Sequence, residues 1–403
     1  MFGNKEQTER RRGDISLQAD VVVAGHIAVD LIPALSDRAG GLTSLRPGQL
    51  VEAGGAAFSS GGCVANTGLA LDRIGVPVRL IGCIGDDEFG ELTLRAVRSA
   101  NPDLVSGLQV VQGEISSYTI VLESPGIDRI FIHCPGVNHR FRSQHVSPEA
   151  LRGARLFHFG YPPLMRSLFS DQGEEMALIM GEARRAGAMT SLDMAMPGSD
   201  EARRVDWPRW LQRVLPEVDL FLPSLDELRV MLPGLSGLPM EVAVREAAEL
   251  LLDWGCAIVA IKLGDCGIYC RTAGGDRLQQ VPHAFLSTAA NWRLRELWAP
   301  CYQVDVIGTT GAGDCTIAGF IRGIVADLTL EETLQSATAV GACSVEAKDA
   351  LGGLHSWEEI RGRIEEGWKR SDKGPEGEGW SWNSAIQIWQ GRLDQANKKE
   401  VDE

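Results

Sequence analysis

The chain has 403 residues, of which 44% are hydrophobic and 23% are charged, enough for one large core or two smaller ones. Its formal net charge of −15 argues against nucleic acid and against an anionic membrane surface as partners. Nine scattered cysteines, the lack of an apolar stretch of membrane-spanning length and a polar segment over residues 1–13 predict free thiols in a cytoplasmic protein without a secretory signal.

The first predicted element is a strand with both faces buried. Residues 20–27 (DVVVAGHI) form a continuous apolar run, as strands of parallel sheets do. Asp30 follows closely, and ligands of open α/β sheets bind beyond the carboxyl ends of the strands. Asp30 is therefore a candidate for holding a polar substrate, although an ordinary loop aspartate explains this stretch alone better.

A pair of glycines opens the first predicted helix. Gly61 and Gly62 precede Asn66 and apolar residues at helical spacing, and Gly75 marks the end of the pattern. A strand over residues 77–84 and a further helix follow. The chain therefore begins with alternating strands and helices.

Two segments, 32–60 and 111–134, interrupt this alternation. The first is rich in glycine and has no helical period, and the second has two apolar runs around a Ser-Pro-Gly turn at 124–126, typical of a hairpin. Together they predict a small β-sheet that projects from the main domain. Such a lid would exclude water from a reaction site.

The alternation of strands and helices resumes after residue 155. Strands are predicted at 156–159, 189–193, 218–223 and 257–263, and helices at 173–186, 240–254 and 330–347. The pattern predicts an α/β fold of three αβα layers, doubly wound around a mainly parallel sheet. Residues 286–300 remain unassigned. The polar tail from residue 369 holds three tryptophans, so part of it is expected to dock on its own or another subunit.

A glycine-rich loop before another predicted helix carries the most specific chemistry. Residues 304–307 predict the end of a buried strand, and apolar residues from Ile317 onward recur at helical spacing. The first N–H groups of a helix lack internal partners, and the helix dipole adds partial positive charge there. We therefore predict that the backbone of residues 311–313 forms an anion hole, because the glycines let a phosphate approach the backbone closely.

Asp314 follows this anion hole directly. A carboxylate repels an anion, so its position indicates general-base action on a hydroxyl that attacks phosphorus. The alternative is that Asp314 caps the helix, which is the commoner role of an isolated aspartate after a glycine turn. The complete block Thr-Thr-Gly-Ala-Gly-Asp over 309–314 favours the base.

This block resembles the second signature of the ribokinase-like (PfkB) carbohydrate kinases, Asp-Thr-x-Gly-Ala-Gly-Asp, except that Gly308 replaces its first aspartate. The segment Gly82 to Gly90 resembles the first signature of the same family. Over residues 20–367 the motifs stand in family order, namely Gly25–Asp30, Gly61–Asn66, Gly82–Gly90, Asp193, Ser224–Glu227, Gly264–Gly267 and Thr309–Asp314.

The resemblance implies an ATP-dependent kinase that phosphorylates a hydroxymethyl group of a sugar or sugar-like alcohol, with Mg²⁺ on the ATP phosphates. Asp314 would be the base, and Gly311, Ala312 and Gly313 the anion hole. The implied substrate-binding residues are Asp30, Gly61, Gly62 and Asn66. The implied nucleotide-binding residues are Ser224, Lys262, Gly264, Gly267 and Thr309. Glu227 would orient hydrated Mg²⁺, although alone it is better explained as a solvated acid in a first helical turn.

The resemblance also implies a division of the chain. The main kinase domain would comprise residues 15–31, 61–110 and 135–368, the lid residues 32–60 and 111–134, and a partly ordered tail residues 369–403. A homodimer would form through the lid.

Three alternatives remain open. A nicotinamide-dependent oxidoreductase would need a Gly-x-Gly-x-x-Gly turn after the first strand, which is absent. A non-catalytic ligand-binding protein on the kinase fold is permitted by Gly308 and Ser224, which depart from the family pattern, whereas the intact Asp314 counts against it. A nucleoside kinase is the third, because the acceptor cannot be identified from these motifs.

Overall fold

The computed structural model describes residues 19–35, 46–124, 127–282 and 288–394, and strand β1 (Val21–Gly25) lies in the middle of its larger sheet. Successive side chains of a strand point to opposite faces. Val21 and Val23 accordingly pack into one hydrophobic cluster, and Val22 and Ala24 into another. Because both faces need cover, helices lie on each side, which confirms the predicted three-layer α/β fold.

The larger sheet has eleven strands among the described residues. In spatial order they are β14 (Trp380–Asn383), β15 (Ile388–Gly391), β13 (Glu296–Ala299), β12 (Ile268–Thr272), β11 (Ile258–Lys262), β10 (Leu220–Phe221), β9 (Met189–Leu192), β8 (Leu156–Gly160), β1, β4 (Val78–Gly85) and β5 (Leu108–Val111). The pairs from β11 to β5 are parallel, and the remaining pairs are antiparallel. The carboxyl ends of the parallel strands therefore share one edge.

Helices cover both faces of this sheet. Those on the Val21 side include α1 (Gly62–Arg73), α2 (Glu88–Ala100), α11 (Ala312–Val325), α12 (Leu330–Ser344) and α13 (Trp357–Glu365). The opposite side carries α3 (Pro148–Leu151), α4 (Arg166–Phe169), α5 (Glu174–Arg185), α6 (Asp200–Arg203), α7 (Trp207–Val214), α8 (Leu225–Met231) and α9 (Met240–Asp253). A single turn, α10 (Gly275–Leu278), follows β12. No helix in the described ranges combines the length and apolarity that crossing a membrane requires.

A second, smaller sheet stands beside the first. Its order is β3 (Ala53–Gly61), β2 (Ala28–Leu35), β6 (Tyr118–Ser124) and β7 (Ile127–Cys134), with β2 and β6 parallel. The predicted lid segments contain β3, β6 and β7 almost entirely, whereas β2 begins before residue 32. Residues 1–18, 36–45, 125–126, 283–287 and 395–403 lie outside the described part of the chain. The predicted division into a main domain, a lid and a tail stays a prediction.

The predicted strand end at residues 304–307 is wrong. These residues form no strand, and Val306 and Ile307 are 64% and 59% exposed. The backbone N–H of Ile307 donates instead to the carbonyl of Val345, just beyond α12. A short apolar run next to a glycine loop is thus not enough to indicate a buried strand, because its burial depends on the neighbouring chain.

The unassigned stretch and the tail meet in the antiparallel half of the sheet. β13 pairs with β15, so that Trp298 stands opposite Trp389. Trp380 packs edge-on against Trp298, with ring centroids 5.8 Å apart. The tryptophans of the tail therefore dock on this chain's own sheet.

Candidate active site

Side chains that follow the parallel strands gather at their shared carboxyl edge. His26 follows β1, Tyr161 follows β8, Asp193 follows β9 and Lys262 ends β11. The N-terminus of α11, with Asp314 in its first turn, meets them there, since the Tyr161 hydroxyl donates to Asp314 Oδ2 at 2.7 Å. This edge is where open α/β sheets bind their ligands.

Asp314 also accepts two hydrogen bonds from helix α1. Asn66 Nδ2 donates to its Oδ2 at 3.1 Å, and Thr67 Oγ1 donates to its Oδ1 at 3.1 Å. The cap of α11 is Gly311, so the alternative that Asp314 caps the helix is wrong. Asp314 is only 3% exposed, and three neutral donors meet its carboxylate.

Burial raises the pKa of Asp314 above the ordinary aspartate value. The hydrogen bond from Tyr161 and the positive charge of Lys262 act against burial, followed by the hydrogen bonds from Asn66 and Thr67, and the net pKa remains raised. A carboxylate is a better proton acceptor when its pKa lies nearer the working pH. The surroundings of Asp314 therefore suit a general base.

Lys262 forms a buried ion pair beside this carboxylate. Its Nζ lies 2.6 Å from Asp193 Oδ1. Burial raises the pKa of Asp193 above the ordinary aspartate value, with Lys262 opposing and Glu227 and Asp314 adding to the rise. Burial alone would lower the pKa of Lys262, but the negative charges of Asp193 and Glu227 reverse this and raise it. Lys262 thus keeps its positive charge beside the start of α11.

The glycines of the predicted anion hole differ in what they require. Gly311 has φ 71°, and a Cβ there would lie 2.3 Å from the Cβ of Ala350. Gly313 has ordinary helical geometry, and a Cβ there would lie 3.7 Å from Lys262 Nζ. Gly311 is therefore required by the backbone conformation, whereas Gly313 leaves space open next to the amine of Lys262. Ala312, the first residue of α11, lies between them.

The predicted substrate-binding residues lie where the small sheet meets α1. A Cβ on Gly61 would lie 2.5 Å from Asp30 Oδ1, because β2 and β3 pair there. Gly62 has φ 80°, and a Cβ there would lie 2.6 Å from the carbonyl oxygen of His26. Both glycines thus allow close approach between the strands and α1. Asn66, the fifth residue of α1, donates to Asp314 from this side.

Ser224 and Glu227 form a capping box at the start of α8. Ser224 Oγ accepts from the Glu227 N–H at 3.2 Å, and Glu227 Oε2 accepts from the Ser224 N–H at 2.7 Å. The backbones of Ser224 and Lys262 form an isolated β-bridge, so the capping box lies at the same carboxyl edge of the sheet. The Glu227 carboxylate is therefore fixed rather than freely solvated.

The predicted nucleotide turn follows β11. Gly264 and Gly267 have φ 57° and 97°, and a Cβ on Gly267 would lie 2.0 Å from the carbonyl oxygen of Ala299. Thr309 lies on the exposed surface before α11. These residues lie near Lys262 and the start of α11. Their contacts with a nucleotide stay predictions.

Tyr161 and Thr67 are the site residues that the motifs missed. Thr67 is adjacent to Asn66, and Tyr161 follows a strand that was itself predicted. The rule that ligands bind beyond strand ends could have singled out Tyr161. No sequence spacing indicates the hydrogen bond it makes, because its partner lies 153 residues away.

The chain is similar in sequence and in fold to known proteins. A model of the pfkB family carbohydrate kinases matches residues 18–357. An ATP-dependent ribose-1-phosphate kinase from Halopiger xanaduensis is 27% identical over 328 residues, 80% of this chain and 90% of the relative. An aminoimidazole riboside kinase from Salmonella typhimurium is 28% identical over 301 residues, 73% and 84% of the two chains. The structure of Arabidopsis thaliana ribokinase complexed with ribose and ATP shares 18% identity and a TM-score of 0.66, covering 86% of this chain and 98% of that one.

The large mainly parallel sheet with a smaller second sheet is the ribokinase-like α/β fold. The chain belongs to the pfkB family of carbohydrate kinases. The resemblance found in the motifs is thereby confirmed, and so is the expectation of a carbohydrate kinase. The alternative of a nicotinamide-dependent oxidoreductase is wrong.

Proposed function

We propose that this kinase transfers the γ-phosphoryl group of ATP to a hydroxymethyl group of a sugar or sugar-like alcohol. Asp314 takes the proton of the acceptor hydroxyl while the acceptor oxygen bonds to phosphorus. The bond between the γ-phosphorus and the β,γ-bridging oxygen breaks, and ADP leaves. The observation that carries this proposal is the buried Asp314 carboxylate in the first turn of α11, beside an open N-terminus.

The phosphoryl group is proposed to lie against the start of α11. The N–H groups of Gly311, Ala312 and Gly313 lie at the start of the helix, where backbone donors lack partners within the helix, and we propose that they stabilise charge that grows on the transferring group. The N–H of Ala312 donates to the Thr309 carbonyl at 3.3 Å, so it would exchange this partner for the phosphoryl oxygen. Lys262 adds a positive charge close to Gly313. Ser224, Gly264, Gly267 and Thr309 are proposed to contact the rest of the nucleotide.

No group of three or more potential metal ligands occurs among the described residues, so Mg²⁺ is proposed to bind mainly through the ATP phosphates and water. Glu227 already brings negative charge near Lys262 at this edge. ATP adds further negative charge, and Mg²⁺ prefers oxygen ligands and substrate phosphates. We propose that Glu227 orients the hydrated ion, which when bound neutralises charge on the phosphates.

The acceptor is proposed to lie between Asp314 and the small sheet, near Asp30 and the glycines at 61 and 62. Asn66 Oδ1 and His133 Nε2 are buried and have no hydrogen-bond partner within the described ranges. Burial lowers the pKa of His133 to about 4, so its ring is neutral at pH 7. Buried polar atoms of this kind need partners, and the hydroxyl groups of a neutral sugar can supply them.

A nucleoside kinase is the second candidate, and the riboside kinase among the relatives favours it. One experiment addresses both: measure ATP consumption over a panel of sugars, deoxysugars and nucleosides, and identify the product. Substrate-dependent ADP release with a phosphomonoester product supports a kinase, and the best substrate decides between the candidates. Binding of a panel member without turnover, with ATP and Mg²⁺ present, would support the non-catalytic alternative instead.

We further propose a homodimer through the small sheet. Strand pairing places Phe58 opposite Leu31, Leu31 opposite Ile120 and Ile120 opposite Ile132, so one apolar row crosses all four strands. Phe58 and Ile132 are 53% and 52% exposed. A second copy could cover this row face to face.

A cytoplasmic location is proposed from the thiols. All nine cysteines fall within the described ranges and are free. Free thiols persist in a reducing compartment.

A further inference from the structure

Tyr161 has a backbone conformation that tyrosine rarely adopts. It stands directly after β8 with φ 66° and ψ 39°, in the left-handed region. Bulky residues in this region are strained, and such strain persists where the surrounding structure fixes the residue. Here the conformation directs the phenol toward Asp314, and the ring packs 6.1 Å from the ring of His26.

The hydrogen bonds on Asp314 distinguish its two oxygens. A carboxylate oxygen accepts about two hydrogen bonds. Oδ2 already has two donors among the described residues, Tyr161 at 2.7 Å and Asn66 at 3.1 Å, whereas Oδ1 has one, Thr67 at 3.1 Å. One acceptor position therefore remains, and it belongs to Oδ1.

Other titratable groups also face this carboxylate. They are Cys63 on α1, Asp193 after β9, Lys262 at the end of β11, Cys315 on α11 itself and Tyr161. Burial and the charge of Asp314 raise the pKa of Tyr161 and of Cys63 well above their usual values. Both groups stay protonated at neutral pH, so Tyr161 is always a donor to Asp314.

We propose that Tyr161 is a positioning residue that saturates Oδ2 of Asp314, keeps the carboxylate ionised and leaves Oδ1 as the oxygen that receives the proton of the acceptor hydroxyl. This inference rests on the proposed function, because it concerns Asp314 as the base. It assigns Tyr161 no contact with the acceptor.

Tyr161→Phe removes a hydrogen bond that stabilises the ionised carboxylate. The pKa of Asp314 must then rise, so at a given acidic pH a smaller fraction of the base is ionised. The acid limb of the kcat/KM profile should move to higher pH by about one unit. Well above that limb the variant should recover a rate within a few-fold of the parent, with little change in acceptor KM.

Tyr269→Phe is the matched control. Tyr269 lies in β12, is fully buried and donates to Glu296 Oε1 at 3.2 Å. It belongs to the hydrophobic cluster on the face of the sheet opposite to α11, which carries Asp314. Tyr269→Phe also removes a phenol oxygen next to a carboxylate. This variant should leave the pH profile of kcat/KM unchanged, even if it lowers the stability of the protein.

A second variant keeps the inference testable if Tyr161→Phe does not fold. Site-specific 3-fluorotyrosine at position 161 keeps the shape but is a stronger hydrogen-bond donor, so the acid limb should move to lower pH. A ¹³C NMR titration of labelled aspartate carboxyls, with the Asp314 signal assigned by its loss in Asp314→Asn, measures the same shifts without substrate.

The inference stands if Tyr161→Phe raises the pKa of Asp314, fluorotyrosine lowers it and Tyr269→Phe changes nothing. An unchanged Asp314 titration in folded Tyr161→Phe, or in the fluorotyrosine protein, overturns it. That result leaves the proposed function intact if Asp314→Asn is still inactive. Full activity of Asp314→Asn would instead contradict the proposed function, so the two failures are distinguishable.

Discussion

At the scale of single residues, the site depends on backbone geometry as much as on side chains. Gly311 requires its left-handed φ, whereas Gly313 sits in regular helix with space beside it. The open N-terminus of α11 needs that space if a phosphoryl group is to reach the N–H groups. A side chain at position 313 therefore tests the anion hole directly.

We predict that Gly313→Val abolishes nucleotide turnover. A Cβ at position 313 meets Lys262 only at ordinary contact distance, so we expect the protein to fold while the approach of the phosphate is blocked. ATP-dependent product formation and a melting curve measure both effects. Gly362→Val, in α13 with nothing near its Cβ, controls for a branched residue in a helix. Parental turnover in Gly313→Val would place the phosphate elsewhere.

A second residue-scale prediction concerns potassium. Gly308 brings no carboxylate where the family signature has one, and a Cβ there would lie 2.7 Å from the carbonyl oxygen of Ala347 and 2.9 Å from that of Lys348. The loop is thus closed around a residue without a side chain. We predict weak or absent activation by potassium, measured as rate in sodium-free buffer with and without potassium salt. A strong rise in rate on adding potassium contradicts this.

At the scale of elements, buried ion pairs join the antiparallel half of the sheet to its neighbours. Arg295, before β13, donates to Asp394 Oδ1 at 2.7 Å and to Glu331 Oε1 at 2.6 Å. Arg245 on α9 donates to Glu296 Oε1 at 2.7 Å. These pairs join α9, α12 and the tail to β13, so the tail is part of the folded domain.

We predict that Arg295→Ala lowers the free energy of unfolding by about 3–5 kcal/mol, because Glu331 and Asp394 lose their buried cation. Chemical denaturation measures the change. Arg361→Ala breaks a pair with Glu365 in which the side chains are 57% and 67% exposed, and it should cost about 0.5 kcal/mol or less. Equal costs in the two variants would show that the tail contributes no more than a surface pair.

The same elements show where sequence reasoning ends. Continuous apolar runs predicted β1, β8 and β11, because a strand that is buried on both faces consists almost entirely of apolar residues. β13 stayed unassigned because Arg295 and Glu296 look like surface residues until their partners on α9 and in the tail are known. The apolar run over 304–307 misled for the opposite reason, since Val306 and Ile307 stay largely exposed in the fold.

The candidate site follows the same division. The glycine turn before a helix and the position of Asp314 were predictable because glycine geometry and helix termini are local properties. The anion hole itself stays a prediction. Tyr161, Thr67 and the Lys262–Asp193 pair act through partners distant in sequence, so only the fold brings them together. The roles of the predicted binding residues remain predictions until substrate is identified.

At the scale of the whole molecule, the apolar row across the small sheet predicts self-association. Ile132→Glu places a charge in the middle of the proposed contact and should convert the dimer to a monomer by sedimentation velocity. Leu178→Glu, on the exposed face of α5 at 43% exposure, is the control and should leave the mass unchanged. A parent protein that is monomeric at assay concentration, or an Ile132→Glu dimer, contradicts the proposed interface.

The central claim is that Asp314 is the base, and Asp314→Asn tests it most directly. Asparagine keeps the shape but accepts no proton, so turnover should fall by about 10²–10⁴-fold. ATP affinity by calorimetry should stay near parental or improve, because a negative charge beside the γ-phosphate is gone.

Asp206→Asn, at the cap of α7, is the control for the same change at a helix start. It should leave turnover unchanged. The measurement is the turnover number of Asp314→Asn with the best acceptor from the substrate panel. If Asp314 is the base, this number collapses while ATP binding is retained, and a turnover within a few-fold of the parent would contradict the role of Asp314 as base.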